Sequence, residues 1–252
     1  MSDDFMKAAL QARIDGARAP LPDSLPEDRA ASFTAQQQTL AELGAEVGGF
    51  KVGANGREAE PTAAPLPAWS IFQSGATVAP SCGDNLFVEG ELAFIVAQDL
   101  PSKDGGYSQA ELLQACNLAA AIEIVEPRFA DWPNIPPLTA LADFSANGAT
   151  IISEPGPSAA DLVEENITLN FSMGEDRKSV PGVDYPGQDA KRLLEWLSNN
   201  LSVWGESYSA RGLRQGDVII AGSWIGVIEA APGALVTVEI PGVGSVSATI
   251  AD

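Results

Sequence analysis

The first 46 residues space their apolar positions as helices do. Apolar side chains recur about every third or fourth residue in two stretches, at Phe5, Ala9, Leu10 and Ile14 and then at Leu40 and Leu43. A proline-rich piece at 19–27 separates the two predicted helices, and Gly44 is placed to end the second. Residues 1–46 are therefore predicted to form an N-terminal helical cap.

Beyond residue 46, most apolar runs are short and rich in β-branched residues, which is typical of strands. Strands are predicted at 48–53, 87–96, 120–125, 167–173, 177–180 and 217–221, and a hairpin is predicted to join 235–240 to 245–250. Residues 69–78 predict a strand and a turn. The proline- and alanine-rich residues 54–68 predict a surface loop.

Two further helices are predicted among these strands. Ser108 and Glu111 match a capping box, from which a helix is predicted to run to Ala119. An amphipathic pattern predicts a longer helix from Asp189 to Trp204. The sequence holds no internal repeat and no clear linker, so residues 1–252 are predicted to form a single α+β domain.

The strongly acidic composition of the chain limits the kinds of molecule that it is expected to bind. The chain has 34 acidic against 14 basic residues and a formal net charge of −20 at pH 7. Such a surface repels phosphate backbones and anionic lipids, so neither nucleic acid nor a membrane is an expected partner.

The sequence shows no signal-peptide pattern and no apolar stretch near ~20 residues. With only two cysteines, Cys82 and Cys116, a reduced cytoplasmic setting is expected.

The chain contains no histidine. This absence excludes the Ser-His-Asp triad, the Cys-His pair and the HExxH zinc helix. Proton transfer would have to use Lys, Glu, Asp, Tyr, Cys or metal-bound water.

Three glutamates lie within predicted strands. Glu89 and Glu91 are two residues apart and so project from the same strand face, while Glu123 lies in the run 120–125. Carboxylates in apolar surroundings are costly unless they are paired or coordinate a cation. A hard divalent cation, Mg²⁺ or Mn²⁺, suits an all-oxygen site, whereas Zn²⁺ lacks its usual ligands here. The alternative is a solvated strand face for Glu89 and Glu91, with Glu123 paired to Arg128.

Six short segments, taken in order, resemble one enzyme family. They are Gly-Phe-Lys-Val-Gly at 49–53, Glu-Gly-Glu-Leu-Ala-Phe at 89–94, Ala-Ile-Glu-Ile-Val-Glu-Pro-Arg at 121–128, Ala-Asp-Phe-Ser-Ala-Asn at 142–147, Trp-Leu at 196–197 and Ala-Gly-Ser at 221–223. Over roughly residues 5–250 the chain resembles the 2-keto-4-pentenoate hydratase family. That family includes 4-oxalocrotonate decarboxylases and lies within the fumarylacetoacetate hydrolase-like superfamily.

The resemblance implies a mixed β-sandwich roll with flanking helices. It also implies Mg²⁺ or Mn²⁺ held by Glu89, Glu91 and Glu123, with Lys51 close by as a catalytic residue. Lys51 would bind the substrate carboxylate or carry a proton, and its alternative role is that of a surface lysine on an edge strand.

Four more residues are candidates around that site. Ser145 and Ser223 would line the substrate pocket, although either hydroxyl could instead serve a local turn. Asp143 would orient a neighbour or contact the substrate, or act as an ordinary cap. Arg128 is expected to be a supporting partner for a glutamate carboxylate.

The implied function is a metal-dependent lyase in aromatic-compound catabolism, which adds water to a 2-hydroxydienoate or 2-oxo-enoate. Alternatives are a decarboxylase of 4-oxalocrotonate type, a tautomerase or hydrolase with the same enolate chemistry, and a non-catalytic partner subunit. The family implies a homo-oligomer and a complex with a related decarboxylase or hydratase.

Two departures from the family pattern concern proton delivery. Residues 69–78 hold no carboxylate where relatives carry an acid, and Ala-Asn-Gly-Arg at 54–57 replaces the usual Thr-Ser. The missing histidine separately argues against the carbon–carbon hydrolase branch, which uses a His-Glu pair.

Overall fold

A computed structural model describes residues 2–83, 85–185 and 189–252. The helices are α1 (Ser2–Asp15), α2 (Arg29–Glu42), α3 (Gln109–Gln114), α4 (Pro137–Ala142), α5 (Ala190–Asn199) and α6 (Glu206–Arg211). The strands are β1 (Val47–Gly53), β2 (Thr62–Pro67), β3 (Ile71–Gln73), β4 (Ala76–Val78), β5 (Leu86–Val96), β6 (Cys116–Val125), β7 (Asn147–Ile152), β8 (Thr168–Met173), β9 (Asp176–Pro181), β10 (Val218–Ser223), β11 (Ile228–Ala230), β12 (Leu235–Ile240) and β13 (Gly244–Ile250).

Among the described residues, these strands form an eight-stranded and a five-stranded sheet. The larger sheet has the order β2-β1-β10-β5-β6-β7-β3, with β11 beside the start of β5, and the smaller has the order β4-β13-β12-β8-β9. Both sheets mix parallel and antiparallel pairs. The predicted α+β class, with mixed sheets and flanking helices, is confirmed.

One face of the larger sheet packs against the smaller sheet. Alternate side chains of β5 and β6, including Phe94 and Ile122, join Phe171 of β8 and Val238 of β12 in the main core. Gly90 lies on this face, where a Cβ would sit 3.1 Å from Val238 Cγ2, so the two sheets approach closely at that point. The residues on either side of Gly90 therefore point away from the main core.

The opposite face of the larger sheet is curled around a smaller apolar cluster. This cluster contains Leu66, Ala93, Ile95, Ala119, Ala121, Ile152, Val218 and Ile220. Leu66 in β2 and Ile152 in β7 belong to it although four strands separate β2 from β7. The sheet therefore wraps around this face, which we call the inner face. A Cβ on Gly49 would collide with the Val218 carbonyl, so glycine is needed where β1 approaches β10.

The N-terminal helices pack onto the body of the fold. Phe5 of α1 lies 5.1 Å, centroid to centroid, from Phe129. Gln36 of α2 accepts a hydrogen bond of 2.6 Å from the buried Trp204 indole. The two predicted N-terminal helices are confirmed, and Asp28 caps the second by accepting from the Ala31 amide. The single-domain interpretation stays a prediction.

The predicted surface loop at 54–68 is wrong in its second half, where β2 pairs with β1 along its length. The strand was not predicted because its prolines and alanines were read as loop signals. Pro65 and Pro67 are nevertheless tolerated here, since β2 lies at the edge of the sheet. Strand β7 was not predicted at all.

Two predicted helix ends are also wrong. Helix α3 stops at Gln114 rather than at residue 119, because strand β6 begins at Cys116 and pairs with β5 throughout its length. Helix α5 stops at Asn199, and a separate 3₁₀ turn, Leu201–Trp204, follows it. Asn200 between them has φ −126°, which breaks the helical path.

Two further findings concern the cysteines and the helices. Cys82 and Cys116 are both buried and free, in line with the absence of a disulfide framework. Of the helices in the described ranges, none has the length and apolar character needed to cross a membrane.

Candidate metal centre

The register of two central strands brings the three glutamates together. Glu89 of β5 lies directly opposite Glu123 of β6, and Glu91 follows two residues further along the same face of β5. One carboxylate oxygen from each of the three lies within 4.8 Å of the others. Glu91 and Glu123 are buried and Glu89 is half-buried. The cluster lies on the inner face, so the alternative of a solvated strand face does not hold.

Lys51 reaches the cluster from β1, which is three strands away from β6. It pairs with Ile220 of β10, which in turn pairs with Ala93 of β5, so all three side chains point to the inner face. Lys51 Nζ donates to Glu123 Oε1 at 2.5 Å and to the Ser145 carbonyl at 3.2 Å. Since β1 lies between β2 and β10, Lys51 is not on an edge strand.

Burial and mutual repulsion control the charges of the cluster. Burial, followed by the charge of Glu123, raises the pKa of Glu89 to about 7 and that of Glu91 well above its ordinary value. Burial alone would lower the pKa of Lys51, but the charges of the three glutamates outweigh it, so its pKa lies above the ordinary value. If all three carboxylates were ionised, as ligands of a cation are, the single ammonium of Lys51 would leave two negative charges for a dication to balance.

One oxygen in the cluster lacks a partner. Glu123 Oε1 accepts from Lys51 and from Asn147 Nδ2 at 3.0 Å, whereas the described residues offer the buried Glu123 Oε2 no nitrogen or hydroxyl donor, and its neighbours in the cluster are the carboxyl groups of Glu89 and Glu91. Glu91 Oε2 accepts from the Gly222 amide at 2.6 Å. A buried carboxylate oxygen without a donor is costly. The all-oxygen donor set and its excess negative charge fit a hard cation such as Mg²⁺.

Within the described ranges Arg128 contacts no glutamate carboxylate, contrary to the sequence-based expectation. Its Nε donates to Asp143 Oδ1 at 2.6 Å, and both side chains are buried. The register of β6 shifts between Ile124 and Val125, and the chain then leaves the sheet, so Arg128 faces the segment 143–147 instead. Asp143 is thus the partner of Arg128, and whether it orients a neighbour or contacts the substrate stays a prediction.

An unusual turn lies between Asp143 and β7. Phe144, Ser145 and Ala146 have φ of 54°, 48° and 61°, so three consecutive non-glycine residues adopt the left-handed region. Each such residue costs about 1–2 kcal/mol. Costly backbone of this kind persists where the surrounding structure over-determines it, often at functional sites. The contact that Ser145 makes with Lys51 uses its carbonyl, and not its hydroxyl.

Asn147 is a site residue that the sequence analysis did not identify. Its amide donates to Glu123 Oε1 and to Thr150 Oγ1, which lies at 3.4 Å. Thr150 pairs with Glu123 across β7 and β6 and is fully buried. The available signal was the polar pair Asn147 and Thr150 in an otherwise apolar run.

Ser223 lies beside Glu91, its register partner across β10 and β5. A bulge between Ile220 and Ser223, with Gly222 at φ 86°, turns the Gly222 amide toward Glu91. Ser223 Oγ is buried and, like Glu123 Oε2, lacks a hydrogen-bond partner within the described residues. Its hydroxyl lies near the Glu89 carboxylate and lowers the pKa of that group slightly, so Ser223 borders the cluster.

The model of the family described as "Fumarylacetoacetate (FAA) hydrolase C-terminal" matches residues 10–251. The chain belongs to this family. It is 29% identical over 242 residues to the 2-keto-4-pentenoate hydratase of Paraburkholderia xenovorans (strain LB400), and the match covers 90% of this chain and 86% of that protein. It is 30% identical over 162 residues to the 2-hydroxyhexa-2,4-dienoate hydratase of Comamonas testosteroni, covering 63% of this chain and 58% of that protein.

A solved structure within the same fold matches almost the whole chain. The 4-oxalocrotonate decarboxylase from Pseudomonas putida G7, complexed with magnesium and adipate, superposes with a TM-score of 0.78. The match covers 99% of this chain and 98% of that one at 17% sequence identity, which shows the shared fold. The predicted resemblance to this FAA hydrolase-like group is thereby confirmed.

Proposed function

We propose that this chain is a divalent-metal-dependent hydro-lyase that adds water to a 2-hydroxydienoate by way of its 2-oxo-enoate tautomer. The observation that carries the proposal is the cluster of Glu89, Glu91 and Glu123, in which Lys51 contacts Glu123 and Oε2 of Glu123 has no nitrogen or hydroxyl donor in the part of the chain that the structure describes. The hydratase names of relatives that align over most of the chain support the reaction class. Mg²⁺ or Mn²⁺ is the proposed cofactor, and a small 2-oxo or 2-hydroxy-dienoic acid is the proposed substrate.

The donor set determines which chemistry the site could perform. Held by Glu89, Glu91 and Glu123, the cation would act as a Lewis acid toward the carboxylate and 2-oxo oxygens of the substrate and so stabilise a developing enolate. The overall reaction consumes one water, whose oxygen bonds to C4. The enol proton leaves the 2-hydroxyl oxygen, and C3 and C5 each gain a proton. The product is a 4-hydroxy-2-oxo acid.

Lys51 is proposed to carry the proton and to hold the substrate. As an ammonium in contact with Glu123, it would act as a hydrogen-bond and proton donor. From its place beside Glu123, Nζ can pair with a substrate carboxylate or give up a proton. Ser223 Oγ, which has no protein partner among the described residues, is proposed to hydrogen-bond to the substrate.

A decarboxylase acting on a 2-oxo-3-enedioate is a second candidate. It is favoured by the lack of any carboxylate in residues 69–78, which leaves no acid there to activate water. Decarboxylation breaks one carbon–carbon bond, releases CO₂ and leaves the same enolate, so it requires one returning proton and no attacking water. A non-catalytic partner subunit would not need Lys51 and all three glutamates.

An ultraviolet assay with freshly generated 2-hydroxypenta-2,4-dienoate tests the proposal. We expect loss of the dienol absorbance with Mg²⁺, none with EDTA, and a 4-hydroxy-2-oxo acid as product. Glu123→Gln keeps the shape of the side chain, removes its charge, and is expected to lower turnover at least about 100-fold. Asp217→Asn is the matched control, because Asp217 is a buried acid paired with Arg211 at the far end of β10.

Each negative outcome has a definite meaning. CO₂ release from an oxalocrotonate-type acid, with no turnover of the dienoate, would replace the hydratase by the decarboxylase. No turnover of either acid would favour a non-catalytic subunit. Full activity of the Glu123→Gln protein would contradict the metal site itself.

A further inference from the structure

The left-handed turn at 144–146 is held at both ends by one side chain. Arg128 Nη2 donates to the Asp143 carbonyl before the turn, and Nη1 donates to the Asn147 carbonyl after it at 2.5 Å. Nε donates to Asp143 Oδ1 at 2.6 Å, which fixes the plane of the guanidinium. We call Arg128 and Asp143 together the clamp.

The clamp is closed off from water and tied to the sheet. Both of its side chains are 1% exposed. Arg128 Nη1 also donates to the Glu126 carbonyl at 2.6 Å, and the Glu126 amide donates to the Ala146 carbonyl at 2.7 Å. The end of β6 and the turn are thus joined by several short hydrogen bonds. Such a network can hold a backbone that would otherwise relax out of the left-handed region.

The turn acts on the Glu123 carboxylate directly through Asn147 and indirectly through Lys51. The Ser145 carbonyl accepts from Lys51, and Lys51 donates to Glu123 Oε1. Asn147 begins β7 at the end of the turn and donates to the same Oε1. With Oε1 engaged twice, Glu123 Oε2 is the oxygen left for a ligand.

We propose that Arg128, Asp143 and Asn147 are positioning residues for the metal centre. The clamp fixes the left-handed turn, and the turn places the Ser145 carbonyl and the Asn147 amide. These two groups orient Lys51 and Glu123 and leave Oε2 as the oxygen that would bind a cation. This inference rests on the metal site of the proposed function, but not on which reaction the site catalyses. Groups that orient metal ligands in this way commonly change metal affinity when they are removed.

Calorimetric titration of metal-stripped protein with Mg²⁺ tests the inference without an activity assay. We expect Asp143→Asn and Asn147→Ala each to weaken Mg²⁺ binding by about 10–100-fold. Asn147→Ala leaves the clamp itself intact, so it remains informative if the Asp143 variant does not fold. Asp217→Asn breaks a comparable buried pair, 2.6 Å from Arg211 Nη1, and is expected to lower thermal stability without changing Mg²⁺ affinity.

A third variant distinguishes the role of the Ser145 carbonyl from that of its hydroxyl. Ser145→Gly keeps the carbonyl that Lys51 contacts and makes a positive φ easy to adopt. Unchanged Mg²⁺ affinity in this variant is expected. At saturating Mg²⁺ the Asn147→Ala protein should recover most of its turnover, because all three proposed ligands and Lys51 remain.

The outcomes distinguish this inference from the proposed reaction. Wild-type Mg²⁺ affinity in both Asp143→Asn and Asn147→Ala would overturn the inference and leave the metal site standing. Weakened binding in both, in a protein that turns over neither dienoate nor oxalocrotonate, would uphold the inference and overturn the reaction. A wild-type protein that binds no Mg²⁺ would overturn both.

Discussion

The two faces of β5 and β6 follow the same alternation but hold opposite kinds of residue. Toward the smaller sheet, Phe94 and Ile122 belong to the main apolar core. Toward the inner face, Glu89, Glu91 and Glu123 gather three carboxylates at one end of a small apolar cluster. The apolar core face stabilises the fold, whereas burying the three carboxylates of the inner face costs stability. Single substitutions on the two faces should therefore separate stability from metal binding.

The largest effect on stability is expected from Phe94→Ala on the core face. The side chain is fully buried, so its removal should lower the free energy of unfolding by about 3–5 kcal/mol. Urea denaturation measures this change. Calorimetry on the protein that remains folded should give wild-type Mg²⁺ affinity, and a large loss of affinity would show that the two faces are not separable.

Glu91→Gln on the inner face should stabilise the metal-free protein, whereas Phe94→Ala should destabilise it. Burial raises the pKa of Glu91 well above its ordinary value, so the ionised form is unfavourable in the metal-free fold. A neutral isostere should raise the free energy of unfolding of metal-free protein while weakening Mg²⁺ binding by about 100-fold or more. A variant destabilised without metal would contradict this account of the inner face.

The pH dependence of stability should also show that the inner-face carboxylates destabilise the metal-free protein. Because burial raises the pKa of Glu89 from 4.5 to about 7, the folded state binds more protons than the unfolded state between these pH values. Stability in EDTA should therefore fall as pH rises through this window, and saturating Mg²⁺ should reverse the trend. Urea denaturation at several pH values measures it, with Glu89→Gln expected to flatten the curve.

Ser223→Ala should have the smallest effect. Its hydroxyl has no hydrogen-bond partner among the described residues, so the free energy of unfolding should hardly change. Loss of one hydrogen bond to the substrate is worth about 0.5–1.5 kcal/mol, which corresponds to a several-fold fall in kcat/KM. Steady-state kinetics would detect this, and an unchanged kcat/KM would remove Ser223 from the site.

Local alternation was sufficient to predict the common face of Glu89 and Glu91, because that relation lies within one strand. The contact of Lys51 with Glu123 depends on register across β1, β10, β5 and β6, which no local pattern encodes. Only the family resemblance brought these residues together in advance.

The features that were not predicted depend on how the whole chain is assembled. Strand β2 escaped prediction because its prolines are acceptable only at a sheet edge, and edge positions are known once the sheet is assembled. The partners of Arg128 and Asn147 follow from a left-handed turn of three non-glycine residues, which their own propensities disfavour. Tertiary contacts outweigh local preference at that turn, close to the proposed site.

The most direct test of the metal centre is anomalous diffraction from crystals soaked in Mn²⁺. The account predicts one peak among Glu89, Glu91 and Glu123, with Glu123 Oε2 facing it and Oε1 still in contact with Lys51 and Asn147. Data that show no peak in the cluster, with Lys51 still paired to Glu123, would contradict the account.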